Sequence, residues 1–430
     1  MVIKTRKEDI LSTLFVGIDV GSKANAVCAI DFFSEKHLAF TVENNHAGAS
    51  LLVEKLAGFL SAKDFTQLII AMESTSVYST HIASFLSTAA QLALYKTEVY
   101  CLNPKQTANY KKSYIDEGKT DPIDAFMIAD FARVGRIKQS PWRGSQFIAL
   151  QRLTRHRLHL AQSIAREKSY MLTNIFLKFS ELALDTDKSP FSDTFGATAE
   201  AVLREFLSTE DIIARSPAEL VGFVNEKGRG RFANPQHTAD LLRQAAKNSY
   251  RLDKCLYEPL TISIASSFNC ISAFEKEIKS IDKAIANAIK GLNPLEYQCL
   301  TSVPGIGPVF AAGILAEIGT IVNFNSENAL AKYAGLVWNR SQSGDFEADD
   351  TRMSKAGNSY LRYYLLEAAN SVRRYIPEYS DFYRKKYSEA TTHHHTRAIA
   401  LTARKLIRLI FGLLGKNRLY SPDPAGGKIK

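Results

Sequence analysis

The order of the predicted strands and helices in the first 134 residues constrains the fold of this chain most strongly. Three apolar segments follow one another at short spacing, which is typical of an antiparallel meander. They are LFVGIDVGS (14–22), NAVCAIDF and HLAFTVEN. A helix, the strand QLIIAME (67–73), a second helix, the strand ALYKTEVYCL (93–102) and two more helices follow. Strands that alternate with helices indicate an α/β layer, so this part is predicted to contain a mixed sheet.

Two of the predicted strands end in an acidic residue. Asp19 lies near the end of the first strand, followed by Gly21 and Ser22, and Glu73 closes the strand QLIIAME. The ends of buried strands form the rim at which α/β sheets bind their ligands. A single acid in this position is usually a turn former, but two such acids together with an acidic pair on a later helix are much less likely to occur by chance.

Two further carboxylates, Asp121 and Asp124, stand at the predicted start of the helix in KTDPIDAFMIAD (119–130). One hypothesis is that they only cap the helix, with Asp121 at the N-cap, Pro122 in the first position and Asp124 as in a capping box. The other hypothesis is catalytic, since a spacing of three places both side chains on one helix face. The two roles are compatible because a capping carboxylate keeps a lone pair for a metal ion.

The four acids together favour a metal centre. Converging carboxylates repel one another unless cations neutralise them, and oxygen ligands suit Mg²⁺ or Mn²⁺. Two such ions can activate a nucleophile and stabilise a leaving oxygen in phosphoryl transfer. The formal net charge of +10 favours a polyanionic partner, DNA or RNA, over an acidic small molecule.

The cysteines and the apolar segments argue against several other classes of protein. The five cysteines show no CxxC spacing, so neither a zinc site nor a disulfide framework is indicated. Met1–Ile10 is charged, unlike a signal peptide, and no apolar run reaches the length of about 18 residues that a membrane helix needs. We therefore expect a cytoplasmic protein with reduced thiols and no membrane span.

Two long helices are predicted in the middle of the chain. Apolar residues between 145 and 179 repeat at heptad-like spacings of seven and four, and a second such helix extends from about 262 to 290. The two helices can pair as a long antiparallel coiled coil, with a helical insertion at about 181–255. The predicted domains are 1–143, 144–296, 297–420 and a basic tail, 421–430.

The helical domain at 297–420 contains two candidate surfaces for nucleic acid. In PGIGP (304–308), two glycines allow a tight turn whose amides can face a phosphate, as in helix-hairpin-helix proteins. RMSKAGN (352–358) and the residues after it supply phosphate-binding charge. The alternatives are an ordinary Pro/Gly turn and a solvated basic helix start. The candidate nucleic-acid contacts of the whole chain are Lys119, Gly305, Gly307, Arg340, Arg352, Lys355 and Arg362.

Ser343 lies in a polar loop, RSQSGDF (340–346), between two apolar helices. The residues around it favour an ordinary loop serine, because no obvious histidine base stands beside it. Metal ions or nearby Lys and Arg side chains can also activate a serine, so a nucleophile remains an alternative.

Two motifs near the C-terminus also have two readings. The run His393–His395 can bind metal, but it is more typical of a polar helix start. The basic amphipathic segment at 397–414 favours docking on the helical domain over association with a membrane.

These motifs together resemble one family, the DEDD transposases of the insertion-sequence family numbered one hundred and ten, which includes the pilin-gene invertase. GIDVGS is similar to the first acidic motif of the family, AMESTSVY to the second, and KTDPIDAFMIADFAR to the third and fourth. SVPGIGPVFAAGILAEIG, YAGLV, QSG and RMSKAGNSYLR resemble its C-terminal transposase domain. The resemblance extends over nearly the whole chain, and the stretch 181–255 is similar to the longer form of the family.

The resemblance implies a RuvC-like domain with a ribonuclease H-like fold, which also has this order of elements. It implies Asp19, Glu73, Asp121 and Asp124 as the catalytic acids that bind Mg²⁺ or Mn²⁺, and Ser343 as the nucleophile. It further implies strand exchange through a phosphoserine link and a Holliday junction, with the two sites meeting across protomers of a dimer or tetramer. A bridge RNA would select donor and target DNA, at the nucleoid in the bacterial cytoplasm.

The interpretation is therefore an RNA-guided transposase and site-specific recombinase, with two rivals. A RuvC-like junction nuclease would need the four acids but not Ser343, and it would form no covalent intermediate. A non-enzymatic nucleic-acid scaffold would use the acids only as caps.

Overall fold

The computed structural model describes residues 10–74, 77–112, 120–137, 141–184, 189–292, 294–338, 342–343, 346–347 and 353–422. Five strands form one sheet: β1 Thr13–Val20, β2 Ala24–Ile30, β3 Lys36–Glu43, β4 Gln67–Glu73 and β5 Glu98–Leu102. The spatial order is β3-β2-β1-β4-β5. Strands β1, β2 and β3 are antiparallel, whereas β1, β4 and β5 are parallel. The predicted mixed sheet, with its antiparallel meander, is confirmed.

Helices cover both faces of this sheet: α1 His46–Ser61, α2 Tyr78–Thr88, α3 Pro104–Lys111 and α4 Asp121–Arg133. On one face, Val16 and Ile18 of β1 share a core with Leu52 of α1. On the other face, Phe15 shares a core with Ile128 of α4. A strand that is buried on both sides needs apolar residues at nearly every position, which explains the continuous apolar run of β1.

Helix α4 crosses β1 at very short distance, and Gly17 makes this possible. A Cβ atom on Gly17 would lie 2.1 Å from the carbonyl oxygen of Ala125 and 2.4 Å from the backbone nitrogen of Ala129. Side chains do not approach backbone atoms so closely, so only glycine fits between this strand and this helix. The contact fixes the position of the N-terminal turn of α4 relative to the end of β1.

Helix α4 begins at Asp121. The capping hypothesis placed Asp121 at the N-cap and the first helical residue at Pro122, so the helix begins one residue earlier than that hypothesis requires. Thr120 holds the N-cap position in an extended conformation, and its side chain makes no capping hydrogen bond. Asp121 is therefore the first residue of the helix, and Asp124 lies buried in the first turn. Negative charge in the first turn still stabilises the helix dipole, which is compatible with a second role in binding.

The chain divides into two compact units, one within 1–152 and 288–430 and the other within 153–287. Helix α5 Ser145–Lys178 enters the second unit, and α11 Lys254–Lys290 leaves it. The described residues between them form the helices α6 Ser180–Ala183, α7 Ala197–Glu205, α8 Thr209–Ala214, α9 Pro217–Lys227 and α10 Pro235–Asn248. Helix α11 starts earlier than the predicted residue 262 and carries Pro259 in its second turn.

Helices α5 and α11 run antiparallel within the second unit. Arg157 Nε lies 2.6 Å from Asp282 Oδ1, and Ser267 Oγ donates a hydrogen bond of 2.6 Å to Glu167 Oε1. The partners therefore advance in opposite directions along the two helices. The antiparallel pairing follows from these contacts, while the coiled-coil geometry stays a prediction.

The remaining elements belong to the first unit and are mostly helical: α12 Pro294–Thr301, α13 Pro308–Ile318, α14 Glu327–Ala334, α15 Ser359–Val372, α16 Pro377–Glu389 and α17 His394–Lys416. A short hairpin, β6 Gln342–Ser343 with β7 Phe346–Glu347, lies between α14 and α15, and only its backbone is described. Tyr364 of α15 is fully buried, and its ring fills the space that a Cβ on Gly313 would need. Across the described residues, every helix is too short or too polar to cross a membrane.

Candidate active site

Strands β1 and β4 bring Asp19 and Glu73 together at the carboxyl edge of the sheet. The two strands pair in parallel up to Ile18, which lies opposite Met72. Asp19 and Glu73 are the next residues on the two strands, so the register places them side by side. Alternation along β4 turns Glu73 toward the same face as Ala71, which packs in the core beneath α4.

Helix α4 adds Asp121 and Asp124 to the same edge. Its close contact with Gly17 brings its first turn to the end of β1, where Asp19 lies. The negative charges of Glu73, Asp121 and Asp124 all act on the Asp19 carboxyl group. The fold therefore gathers into one electrostatic group four acids that are spread over more than a hundred residues of sequence.

The acidity of Asp19 is strongly perturbed in this group. Partial burial raises the pKa of Asp19 from the ordinary 3.8 to about 6, and the nearby ammonium group of Lys111 opposes the rise. Repulsion from the other acids adds to the rise, in the order Asp124, Glu73 and Asp121. A raised pKa means that the ionised form of Asp19 is less favourable in the folded chain than in water. Acids perturbed in this way at a rim are typical of functional sites.

Lys111 is a member of this site that the sequence did not reveal. It is the last residue of α3, and its Nζ lies 3.1 Å from Glu73 Oε1 and 3.1 Å from Asp124 Oδ2. Partial burial works to lower the pKa of Lys111, but its hydrogen bonds and its attraction to the two carboxylates outweigh burial and raise the pKa above its ordinary value. Lys111 is therefore held as a cation between Glu73 at the end of strand β4 and Asp124 in the first turn of helix α4.

The donor set at the rim fits a hard divalent cation. All four candidate ligands are carboxylates, and magnesium and manganese prefer oxygen donors. One ammonium group cannot balance four carboxylates; burial is the main cause of the raised pKa of Asp19, and repulsion from the other three acids adds to it. Asp19 and Glu73 would hold such an ion from the sheet, and Asp121 and Asp124 would hold it from the helix.

A second acidic cluster, formed by Asp31, Glu35 and His37, has a structural explanation. Its ligand atoms lie within 4.8 Å of one another, a compactness that no other group of three or more His, Cys, Asp or Glu residues reaches among the described residues. Asp31 Oδ1 accepts a hydrogen bond from the backbone nitrogen of Glu35 at 2.9 Å, and Asp31 Oδ2 lies 3.3 Å from His37 Nε2. These contacts lie in the turn between β2 and β3 and give Asp31 and His37 a structural role.

The Asp19→Asn variant is expected to be more stable than the wild type at neutral pH when a chelator removes divalent metal. In the folded wild type the Asp19 pKa lies near 6, above its unfolded value, so the chain loses stability as pH rises from about 4 through 6. Asparagine removes this loss, which we expect to be about 1 kcal/mol after allowance for the exposed part of the side chain. Thermal unfolding between pH 4 and pH 7.5 measures the difference. A difference that stays constant across this range would contradict the assignment.

The two glycines of PGIGP have different environments. Gly305 has a φ of +98°, and a Cβ there would lie 2.8 Å from the backbone of Val372, so packing against the end of α15 requires this glycine. Gly307 is the N-cap residue of α13, and a Cβ there would meet no atom within 4 Å. The open N-terminus of α13 at Gly307 is compatible with a phosphate contact. Gly305 has a packing role, and its phosphate contact stays a prediction.

Arg362 stabilises the basic turn before α15. Its Nη1 donates hydrogen bonds to the carbonyl oxygens of Ala334, at 3.1 Å, and Lys355, at 3.0 Å. These contacts favour a positioning role for Arg362, although its part in nucleic-acid binding stays a prediction. Lys355 is exposed, with a φ of +51°, so its ammonium group is available to a ligand.

Several predicted residues lie outside the part of the chain that the structure describes. Lys119, Arg340 and Arg352 are among them, and so is the side chain of Ser343. The backbone of Ser343 is described and pairs with Phe346 in the β6–β7 hairpin. The predicted roles of these residues therefore rest on the sequence alone.

A buried polar network around Glu317 was also missed from the sequence. Glu317 is 1% exposed, and its Oε2 accepts hydrogen bonds from Asn358 Nδ2 at 2.7 Å and Gln151 Nε2 at 3.2 Å. Asn358 also caps α15 by accepting from the backbone nitrogens of Tyr360 and Leu361. The network ties the end of α13 to the start of α15. The only sequence signal was an acid near the end of an otherwise apolar helix.

The histidine run begins helix α17, as the more typical interpretation predicts. His394 Nδ1 lies 2.9 Å from the carbonyl oxygen of Tyr387, and His395 Nδ1 lies 2.7 Å from the hydroxyl of Tyr383. These contacts dock α17 against α16. The same helix buries Leu406, which accounts for its amphipathic pattern.

Comparison with known proteins matches an N-terminal and a C-terminal part of the chain to one family of transposases. A family model described as a transposase, DEDD_Tnp_IS110, matches residues 16–177, which include all four acids. A second model, described as transposase of the IS116/IS110/IS902 family, matches residues 297–384. The chain belongs to the IS110/IS116 transposase family. As a transposase of an insertion sequence, it is a DNA-processing enzyme.

Relatives of this transposase match over different shares of their length. It is 26% identical to a protein of insertion element IS900 of Mycobacterium paratuberculosis over 95% of this chain and 97% of the relative. It is 27% identical to the transposase for insertion sequence element IS1111A of Coxiella burnetii over 40% of this chain and 43% of the relative. It is 28% identical to the pilin gene-inverting protein of Moraxella lacunata over 42% of this chain and 57% of the relative. The resemblance inferred from the motifs is thus confirmed at the level of the family.

Proposed function

We propose that this transposase cuts and exchanges DNA strands by metal-assisted phosphoryl transfer at the rim of the mixed sheet. The observation that carries the proposal is the gathering of Asp19, Glu73, Asp121 and Asp124 at one end of β1. Such a constellation on a sheet ordered β3-β2-β1-β4-β5 is compatible with the ribonuclease H-like, RuvC-like domain that the family implies. A domain of this kind is the expected place for DNA cleavage.

The four acids are proposed to bind Mg²⁺ or Mn²⁺. When bound, the ion would supply positive charge that stabilises the transferring phosphate. Asp19 and Glu73 are fixed by the parallel register of β1 and β4, and the two helix acids are fixed by the contact of α4 with Gly17. Rigid strands and a packed helix are suited to holding ligands in place, because neither element can shift without breaking a core.

Ser343 is proposed as the nucleophile. Its Oγ would form a bond to the scissile phosphorus while the bond to the leaving sugar oxygen breaks; the serine loses its proton and the leaving oxygen gains one. Two backbone contacts join the two ends of the segment that carries the serine. Trp338 and Met353 form an antiparallel β-bridge. The backbone nitrogen of Ser354 donates a hydrogen bond of 2.8 Å to the carbonyl oxygen of Val337. The assignment itself rests on the family motif QSG.

Donor and target DNA are the proposed substrates, and a structured bridge RNA is the proposed guide. The net charge of +10 supports a nucleic-acid partner. The family motifs support the RNA guide, a homo-oligomer in which the acids and the serine meet across protomers, and action at the bacterial nucleoid. The paired helices α5 and α11 are compatible with the proposed coiled coil.

A trapping experiment tests the serine mechanism. The protein is incubated with its cognate RNA, labelled donor and target DNA and Mg²⁺, then denatured and examined for DNA attached covalently to protein. We expect an adduct in the wild type, none in Ser343→Ala, and an undiminished adduct in Ser354→Ala, which removes a neighbouring serine hydroxyl. Cleavage without any adduct, unchanged in Ser343→Ala, would instead favour a RuvC-like junction nuclease that needs only the four acids.

A further inference from the structure

The ammonium group of Lys111 lies between two of the four acids. It is 3.1 Å from an oxygen of Glu73 on the sheet and 3.1 Å from an oxygen of Asp124 on helix α4. The side chains of all three residues are largely buried, with exposed fractions of 23% for Lys111, 16% for Glu73 and 13% for Asp124. Lys111 thus connects the two elements that supply the proposed metal ligands.

We propose that Lys111 and a divalent metal ion compete for the same two carboxylates, so that metal binding expels the lysine ammonium group from the site. Lys111 would then act as an internal counter-ion that sets the metal concentration at which the site is filled. The inference rests on the proposed function, because it takes the acids at the rim as metal ligands. Neither the family match nor the acidic motifs assign a role to this lysine.

Lys111 and a metal ion would use the same oxygen atoms. Lys111 Nζ lies 3.1 Å from Glu73 Oε1 and 3.1 Å from Asp124 Oδ2, and a magnesium ion would lie about 2.0–2.1 Å from its oxygen ligands. An ion bound to these two oxygens would replace the ammonium group as their partner. Two cations in a partly buried site also repel one another more strongly than in water. Metal binding is therefore expected to displace the lysine.

The position of Lys111 allows it to leave. It is the last residue of α3, so its backbone is not enclosed within the helix. Its side chain keeps an exposed fraction of 23%, and its long stem can turn the ammonium group toward water. The neighbouring Lys112 has an exposed side chain and lies outside this pair of contacts, so it provides a matched control.

Metal titration of the full chain tests the competition. Mn²⁺ is added, without nucleic acid, to the wild type, Lys111→Met and Lys112→Met, and binding is measured by calorimetry. Loss of a competing charged hydrogen-bond partner is expected to tighten Mn²⁺ binding by about tenfold in Lys111→Met, and Lys112→Met should bind like the wild type. In chelator-treated protein, Lys111→Met should also unfold at a lower temperature than Lys112→Met. Unchanged or weaker Mn²⁺ binding by Lys111→Met would overturn the inference.

A measurement on the wild type alone covers the case in which Lys111→Met does not fold. Exposed amines are acylated with and without saturating Mn²⁺, and the labelling of individual lysines is read by peptide mass spectrometry. Lys111 should be labelled faster when Mn²⁺ is present, and Lys112 should be labelled equally in both conditions. If Mn²⁺ binds but Lys111 labelling does not change, the inference fails and the metal site stands. If the wild type binds no Mn²⁺ at all, the proposed function itself fails, and the inference fails with it.

Discussion

The Asp124→Asn variant is expected to lose DNA strand cleavage by more than about a hundredfold while it still binds nucleic acid. Loss of a group that merely orients a metal ligand costs about 10–100-fold, so loss of a ligand itself should cost more. Asparagine keeps the size of the side chain but removes the charge that faces Lys111 and that acts on Asp19. Cleavage of labelled donor DNA, together with a binding titration on the same preparation, measures both properties. The same result is expected for Asp121→Ala.

The matched control for this prediction is Asp64→Asn. Asp64 is exposed in the loop before β4, so its replacement makes the same change of charge away from the rim. We expect its cleavage rate to remain within about twofold of the wild type, since surface substitutions have small effects. Full cleavage by Asp124→Asn would mean that the acids only stabilise the helix, and the metal-site interpretation would then be wrong.

Gly17→Ala is expected to lower the free energy of unfolding of the first unit, which contains the sheet, by at least about 3 kcal/mol, or to prevent folding altogether. The added Cβ would lie 2.1 Å from a backbone oxygen of α4, and no change of side-chain rotamer can relieve a clash with backbone. The helix would have to move away from β1, which would carry Asp121 and Asp124 away from Asp19. Chemical unfolding followed by circular dichroism measures the loss of stability.

Gly58→Ala makes the same chemical change without the clash. Gly58 lies on the exposed side of α1, and a Cβ there would meet no atom within 4 Å. Alanine is a better helix former than glycine, so this variant should be more stable by about 0.5–1 kcal/mol. An unfolding midpoint for Gly17→Ala equal to that of the wild type would contradict the close crossing of α4 and β1.

The sequence predicted the sheet and the four acids because these features depend on local pattern. The apolar run of β1 and the acids at the ends of β1 and β4 were visible directly in LFVGIDVGS and QLIIAME. Their convergence was not visible, because it depends on the strand register and on the contact of α4 with Gly17. The glycine looked like any other glycine in a strand, and only the packed helix above it gives it a role.

Lys111 illustrates a different limit of sequence reasoning. It stands beside Lys112 in a polar segment, and nothing in the residue types distinguishes the two. The phase of the short helix α3 decides which lysine faces the acids, and a shift of one residue would exchange them. Gly305 illustrates a related limit, since its φ and its neighbour Val372 give it a packing role that the motif did not show, while its predicted phosphate contact stays a prediction.

Anomalous diffraction from crystals grown with Mn²⁺ tests the central claim most directly. We predict a manganese peak at the carboxyl edge of the sheet, with oxygen atoms of Glu73 and Asp124 about 2.1 Å from the ion and the Lys111 ammonium group displaced. A peak confined to the cluster of Asp31, Glu35 and His37, with Lys111 still between its two carboxylates, would contradict a metal centre built from the four acids.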